Sequence, residues 1–252
     1  MDDTLRDLAA GRITVEEARR ALSIHAVTDV GDFGRFDTHR DIRTGIPEVI
    51  LGEGKAPAEV RALVEAACSV RGQAIVSRFD TDALDSSGLE ESDLILDHHA
   101  TARFLVARTV AFNPPEPKGV VGIVTAGTSD LPVAHEARMM AEGMGARTVL
   151  EADCGVAGPA RLAPALSRVL EADPGALVVA AGREGTLPTV VSALVPVPVI
   201  GLPVSSGYGE GGKGKAALYS MLQSCSPLAV VNIDNGVMAG QLAARIARLA
   251  SR

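Results

Sequence analysis

From residue 119 onward, short apolar runs alternate with longer amphipathic stretches. The runs at 119–124, 147–151, 176–181, 198–202 and 229–233 have strand length and are largely apolar throughout, as strands covered on both faces are. The stretches at 132–143, 162–170, 185–194, 213–223 and 236–249 have helical length, and one follows each strand. Five strand–helix units in succession predict a doubly wound parallel sheet. Such sheets bind ligands beyond the carboxyl ends of their strands, here residues 125–130, 151–158, 182–185, 203–214 and 232–236. All five ends carry charged or amide groups near glycine, so they are expected to converge on one cleft.

Before residue 118 the pattern is less regular. Helices are predicted at 5–10 and 14–22, the second with Thr14 as N-cap and Glu17 as its capping-box partner, and Gly11 stops the first. A third, at 57–68, opens with Pro57, where a missing N–H costs nothing. Short strands fit 48–51 and 74–77. The polar segment 36–55 crowds Asp37, His39, Arg40, Asp41, Arg43 and Glu48 together. It reads either as a solvated loop with local ion pairs, or as a segment whose Arg40, Arg43 and Lys55 hold an anion over a neighbouring active site. His98 and His99 follow an acidic run; adjacent histidines on a helix cannot face one way, so they read as surface groups. Asn113-Pro114-Pro115-Glu116-Pro117 is a stiff linker, dividing a smaller helical and α+β region, 1–117, from the repeating region, 118–252.

Charge is unevenly spread over the 252 residues: 1–117 hold 13 Lys/Arg against 21 Asp/Glu, and 118–252 hold 11 against 10. With no basic stripe and no Trp, nucleic acid is not an expected partner. The three cysteines, Cys68, Cys154 and Cys225, are odd in number and lack metal-ligand spacing, which fits a reducing cytoplasm. Met1-Asp2-Asp3 does not open a signal peptide, and Pro196, Pro198 and Pro203 break the longest apolar stretch, so no membrane span is expected.

Candidate chemistry sits at the strand ends. Gly127, Thr128, Ser129 and Asp130 form a turn at a helix start, where free N–H groups and hydroxyls suit a phosphate. The loop around Ser205, Ser206, Gly207, Gly209 and Lys213 holds six glycines between 201 and 214, so its backbone can approach a ligand closely. It lacks the spacing of a Walker loop. Glu184, in Gly182-Arg183-Glu184-Gly185, is either a proton donor or acceptor at the cleft or an ordinary acidic residue at a helix start. Cys225, just before the last strand, is on sequence alone either a small hydrophobe or a nucleophile.

As a set, GIVTAGTSDLPVAHEA, AAGREGTLPTVVSALVPVPVIGLPVSSGYG and VVNIDNG resemble the LarB family, whose C-terminal domain is similar to the PurE carboxylase/mutase. FDTHRDIRTGIPEVILGEGK resembles that family's N-terminal signature, which PurE lacks. The resemblance covers nearly the whole chain. It implies a flavodoxin-like (PurE-like) α/β fold with a smaller N-terminal α/β region. It also implies carboxylation of the pyridinium ring of nicotinic acid adenine dinucleotide with hydrolysis of its phosphoanhydride, giving pyridinium-3,5-biscarboxylic acid mononucleotide and AMP. Carbon dioxide or bicarbonate would be co-substrate, with Mg2+ offsetting phosphate charge. Cys225 matches the family's nucleophile and Glu184 its acid/base. The Thr128-Ser129-Asp130 turn, Arg161, Arg183, Asn232, Asp234 and Asn235 would bind substrate, with Asp234 a magnesium contact. A homo-oligomer, an octamer as in PurE, is implied as well.

One position departs from the pattern. The His of the family's His-Arg pair is replaced by Ala160, ahead of a retained Arg161, so proton handling there is absent or passes to His39 or His135. Two other readings compete: a PurE-like aminoimidazole ribonucleotide carboxylase or mutase, and a nucleotide-binding module without catalysis.

Overall fold

The computed structural model describes residues 1–23, 26–114 and 116–251, and divides into two compact units. Met1–His98 with Phe104–Asn113 form the first; His99–Arg103 with Pro114–Arg252 form the second. Pro115 of the proline-rich linker lies outside the described residues.

The first unit opens with α1 (Asp2–Ala9) and α2 (Val15–Leu22). Thr14 and Glu17 form the expected capping box. An antiparallel pair, β1 (Val27–Val30) and β2 (Gly34–Asp37), leads into the short helix α3 (Arg40–Thr44). Next come β3 (Val49–Leu51), α4 (Pro57–Arg71), β4 (Gln73–Ser77), α5 (Thr81–Ser87), β5 (Ile95–His99) and β6 (Phe104–Arg108), the strands ordered β3-β4-β6-β5. Val60, Leu63, Val64 and Ala67 on one face of α4 pack on Val76 and Leu105, which is why its apolar positions recur three and four residues apart.

The structure bears on two expectations for the residues before the linker. His98 and His99 end a strand rather than lying on a helix, and both are half-buried. His98 Nε2 lies 3.0 Å from the Phe79 carbonyl, while the His99 ring lies 4.4 Å from that of His135. The segment 36–55 is structured by local pairs: Arg43 pairs with Asp37 and donates to the Ser23 carbonyl at 2.7 Å, Asp41 pairs with Arg71, and Lys55 donates to the Leu51 carbonyl at 3.0 Å. The hydrogen bond to Asp37 holds the Arg43 guanidinium above its usual range, whereas burial raises Glu48, whose carboxylate accepts from the Asp37 amide.

In the second unit β7 (Val120–Thr125), α6 (Leu131–Gly143), β8 (Arg147–Glu151), α7 (Pro159–Glu171), β9 (Ala176–Ala181), α8 (Thr186–Ser192), β10 (Val199–Pro203), α9 (Lys215–Leu222), β11 (Ala229–Val230) and α10 (Gly236–Ala250) alternate. The strands pair in parallel in the order β11-β10-β9-β7-β8, the flavodoxin-like α/β arrangement. Every residue of β7, β9 and β10 is buried, so periodicity of two is absent and the runs are uniformly apolar. Leu166 and Val169 of α7, Leu187 and Val191 of α8, and Ala217 and Met221 of α9 share one core with Val124, Leu177 and Val179. α10 packs on α6, close enough that a Cβ at Gly240 would fall 2.3 Å from the Ala137 carbonyl oxygen. The side on which successive strands are added reverses between β7 and β9, and that is where a crevice opens at the carboxyl ends.

Candidate active site

A cleft of ≈ 330 Å³ lies at this switch point. Gly127, Ser129 and Asp130 after β7, Gly155 and Arg161 after β8, residues 181–187 after β9, and Ser206 and Tyr208 after β10 line it. Four of the five strand ends thus meet, as the alternation implies. The fifth does not: β11 has only two residues, and the chain after it turns at Asp234, φ 53°, whose N–H donates to the Pro203 carbonyl at 2.9 Å.

The cleft floor is organised by Asp130, which is 3% exposed. It ends a single 3-10 turn, Thr128–Asp130, that precedes α6, so the helix is not capped by a side chain in the expected way. Instead the carboxylate accepts from the Gly127 amide at 2.8 Å and from Ser206 Oγ at 2.9 Å. Burial pushes its pKa up, against the hydrogen bonds from Gly127, Ser206 and the Gly182 amide. Asp130 therefore ties the β7 and β10 loops together and is not itself an anion receptor. Gly182 must lack a side chain here, because a Cβ would sit 2.3 Å from Ser206 Oγ.

The charged groups stand on the walls. Arg161 lines the cleft while paired with Asp153. Arg183, held at φ 46°, lays its guanidinium 4.7 Å from the Tyr208 ring centroid and donates to the phenol oxygen. Glu184 lines the cleft and is exposed. With two guanidinium groups, glycine backbone and one accessible carboxylate, the cleft can hold an anionic ligand and move a proton beside it. Tyr208 was not singled out from the sequence, although a tyrosine in a glycine-rich loop stands out in a chain with only two.

The remaining sequence candidates lie elsewhere. Thr128 is on the turn but not on the cleft wall, as are Ser205, Gly207, Gly209 and Lys213 of the loop. Asn232 accepts from the Ile233 amide and Asn235 caps α10 by accepting from Met238, so both carboxamide oxygens serve the backbone. Asp234 accepts from the Ser205 amide at 2.8 Å, and among the described residues no three His, Cys, Asp or Glu side chains cluster as a metal site. Oδ1 of Asp234 is taken by that amide, and Asp234 is not on the cleft wall. Arg40, exposed at the start of α3, and Arg43 belong to the first unit. Ala160 is exposed at the second position of α7. His39 contacts Thr38 Oγ1 in the first unit, and His135 of the second does not line the cleft.

Cys225 is exposed, whereas Cys68 and Cys154 are buried, the first with its thiol pushed up to about 11 by burial. Cys225 follows α9 and precedes β11. Cys225 is not on the cleft wall, although the neighbouring Ser224 bonds to Thr189, three residues along α8 from the cleft-lining Thr186. Ser224 Oγ accepts from Thr189 Oγ1 at 3.0 Å and donates to the Ser226 carbonyl, fixing that loop.

Comparison with known proteins matches residues 120–252 to a family model described as AIR carboxylase, and residues 27–109 to one described as LarB/PurE-like N-terminal domain. An uncharacterized protein of Methanocaldococcus jannaschii is 36% identical over 99% of both chains. The N5-carboxyaminoimidazole ribonucleotide mutase of Pyrococcus horikoshii is 33% identical over 51% of this chain and 72% of its own. The phosphoribosylaminoimidazole carboxylase of Candida glabrata is also 33% identical, over 51% of this chain and 22% of its own. No helix among the described residues is long and apolar enough to cross a membrane. A PurE-like, flavodoxin-fold domain preceded by this particular N-terminal domain places the chain in the LarB family.

Proposed function

We propose that the protein carboxylates the pyridinium ring of nicotinic acid adenine dinucleotide and hydrolyses its phosphoanhydride, releasing AMP. A pyridinium ring is too electron-poor to attack carbon dioxide. Addition of the Cys225 thiolate to a ring carbon gives a dihydropyridine whose β carbon is nucleophilic. That carbon forms the C–C bond to carbon dioxide, Glu184 takes the ring proton, and the thiolate leaves as aromaticity returns. Attack of water on the phosphoanhydride separates the two mononucleotides. Arg161 and Arg183 suit the phosphates.

The observation that supports this reading over an aminoimidazole substrate is the exposed thiol of Cys225 in a chain that also carries the LarB/PurE-like N-terminal domain. Because that thiol does not line the cleft, the reading further requires Cys225 to reach it, either by movement of its own loop or from a second copy in a homo-oligomer. The test incubates wild type and Cys225→Ala with nicotinic acid adenine dinucleotide and bicarbonate, with and without Mg2+, and follows AMP and the dicarboxylated mononucleotide by mass spectrometry. Product from wild type alone supports the thiolate route, product from both removes Cys225 as nucleophile, and product from neither removes the dinucleotide reaction.

A further inference from the structure

Tyr208 is 75% exposed at the tip of a glycine-rich loop, yet it lines the cleft, and its ring is covered by a planar cation, Arg183, from the facing strand end. Nothing in folding asks for a large aromatic at such a position, since the ring contributes no core. What it offers is an electron-rich face opening on the cleft, already shown by Arg183 to accept a flat positive group.

We propose that Tyr208 is the residue that recognises the substrate's ring: a pyridinium replaces the Arg183 guanidinium over the phenol, and Arg183, released, turns to the substrate's phosphate or carboxylate oxygens. The inference rests on the pyridinium substrate proposed above. Both partners of the exchange are flat cations, so the aromatic face loses nothing when they swap. Arg183 gains a charge-assisted bidentate contact it lacks in the free protein. A neutral ring, such as an aminoimidazole or a dihydropyridine, cannot displace the guanidinium on equal terms. The pair therefore selects for ring charge, and the flexible glycines beside Tyr208 let its ring follow the ligand.

Equilibrium dialysis of the full chain with nicotinic acid adenine dinucleotide and with its reduced 1,4-dihydropyridine form tests this, because the two probes share adenine, riboses and phosphates and differ in ring charge. Wild type is expected to bind the oxidised form about tenfold more tightly, the worth of one cation–π contact. Tyr208→Phe keeps that preference because it keeps the ring face. Tyr208→Leu abolishes it, with the reduced form bound as before. A preference that survives in Tyr208→Leu overturns the inference, and so does an equal loss on both forms, which would mean that Tyr208 stacks on adenine. Wild type that binds neither form overturns the proposed dinucleotide reaction itself, and this inference with it.

Discussion

The hydroxyl of Ser206 and the carboxylate of Asp130 meet at 2.9 Å across the cleft floor, joining two loops that are 76 residues apart in sequence. This bond fixes the root of the loop that carries Tyr208 against the turn that opens α6. Ser206→Ala should cost about 1–3 kcal/mol, the penalty of leaving a buried carboxylate short of a donor. Urea unfolding measures it; a change below a few tenths of a kcal/mol would mean that water replaces the hydroxyl.

Asp130 also gives the protein a pH dependence of known sign. Burial raises its pKa when the chain folds, so between the ordinary aspartate value and that raised value the folded state binds the extra proton. Its contribution is therefore most favourable at acid pH and declines as pH rises through that window. Asp130→Asn has no such titration. The stability of wild type relative to Asp130→Asn should fall with rising pH and then level off, measured as the difference between two urea series. A difference that grows with pH would show that the hydrogen bonds outweigh burial.

Gly182 and Ser206 form a second coupled pair. A Cβ at residue 182 would lie 2.3 Å from Ser206 Oγ, so Gly182→Ala should destabilise by about 1–3 kcal/mol and disturb the cleft. Removing the obstructing hydroxymethyl in Gly182→Ala/Ser206→Gly should recover part of that loss, a departure from additivity that a double-mutant cycle reads directly. Strict additivity would place the strain elsewhere.

Much of this was legible in the sequence, for a definite reason. Strands such as Val120–Thr125 and Ala176–Ala181 are buried on both faces, so unbroken apolar runs reveal them, and the switch-point rule then locates Gly127, Arg161, Glu184 and Ser206 together. What failed depended on tertiary detail. β11 is a two-residue edge strand, too short to carry Asn232 and Asn235 onto the cleft wall, and their side chains are spent on local backbone. His98 and His99 were expected as surface groups on a helix, but the run is a strand end on which both are half-buried. Tyr208 escaped because loop position alone does not reveal that Arg183 stands beneath it.

Asp153 restrains one of the two cleft arginines. The Arg161–Asp153 pair is about half exposed on each side, so its electrostatic worth is small and sensitive to salt. Asp153→Asn is compatible with the backbone at φ 59°, since asparagine tolerates that region. Freed of its partner, Arg161 should bind AMP about two- to fivefold more tightly at low ionic strength, with the gain shrinking as salt is added. Calorimetric titration at two salt concentrations checks this, and weaker binding would show that Asp153 positions Arg161 more than it neutralises it.

Glu184 lines the cleft and Cys225 does not, which leads to the most demanding prediction. If Cys225 enters the cleft from a second copy, each site draws Glu184 from one chain and Cys225 from another, and the two can be inactivated on different chains. Glu184→Gln should slow turnover by about a hundredfold or more, the scale of a lost acid/base group, and Cys225→Ala should abolish it. Unfolding and refolding the two inactive variants together should restore activity, because mixed assemblies contain some sites with both native side chains. Refolding each variant with itself should give no more than that variant's own residual activity. If mixing gives no recovery while gel filtration shows that the variants have co-assembled, thiol and carboxylate act from the same chain, and the α9–β11 loop would have to move to bring Cys225 onto the cleft wall.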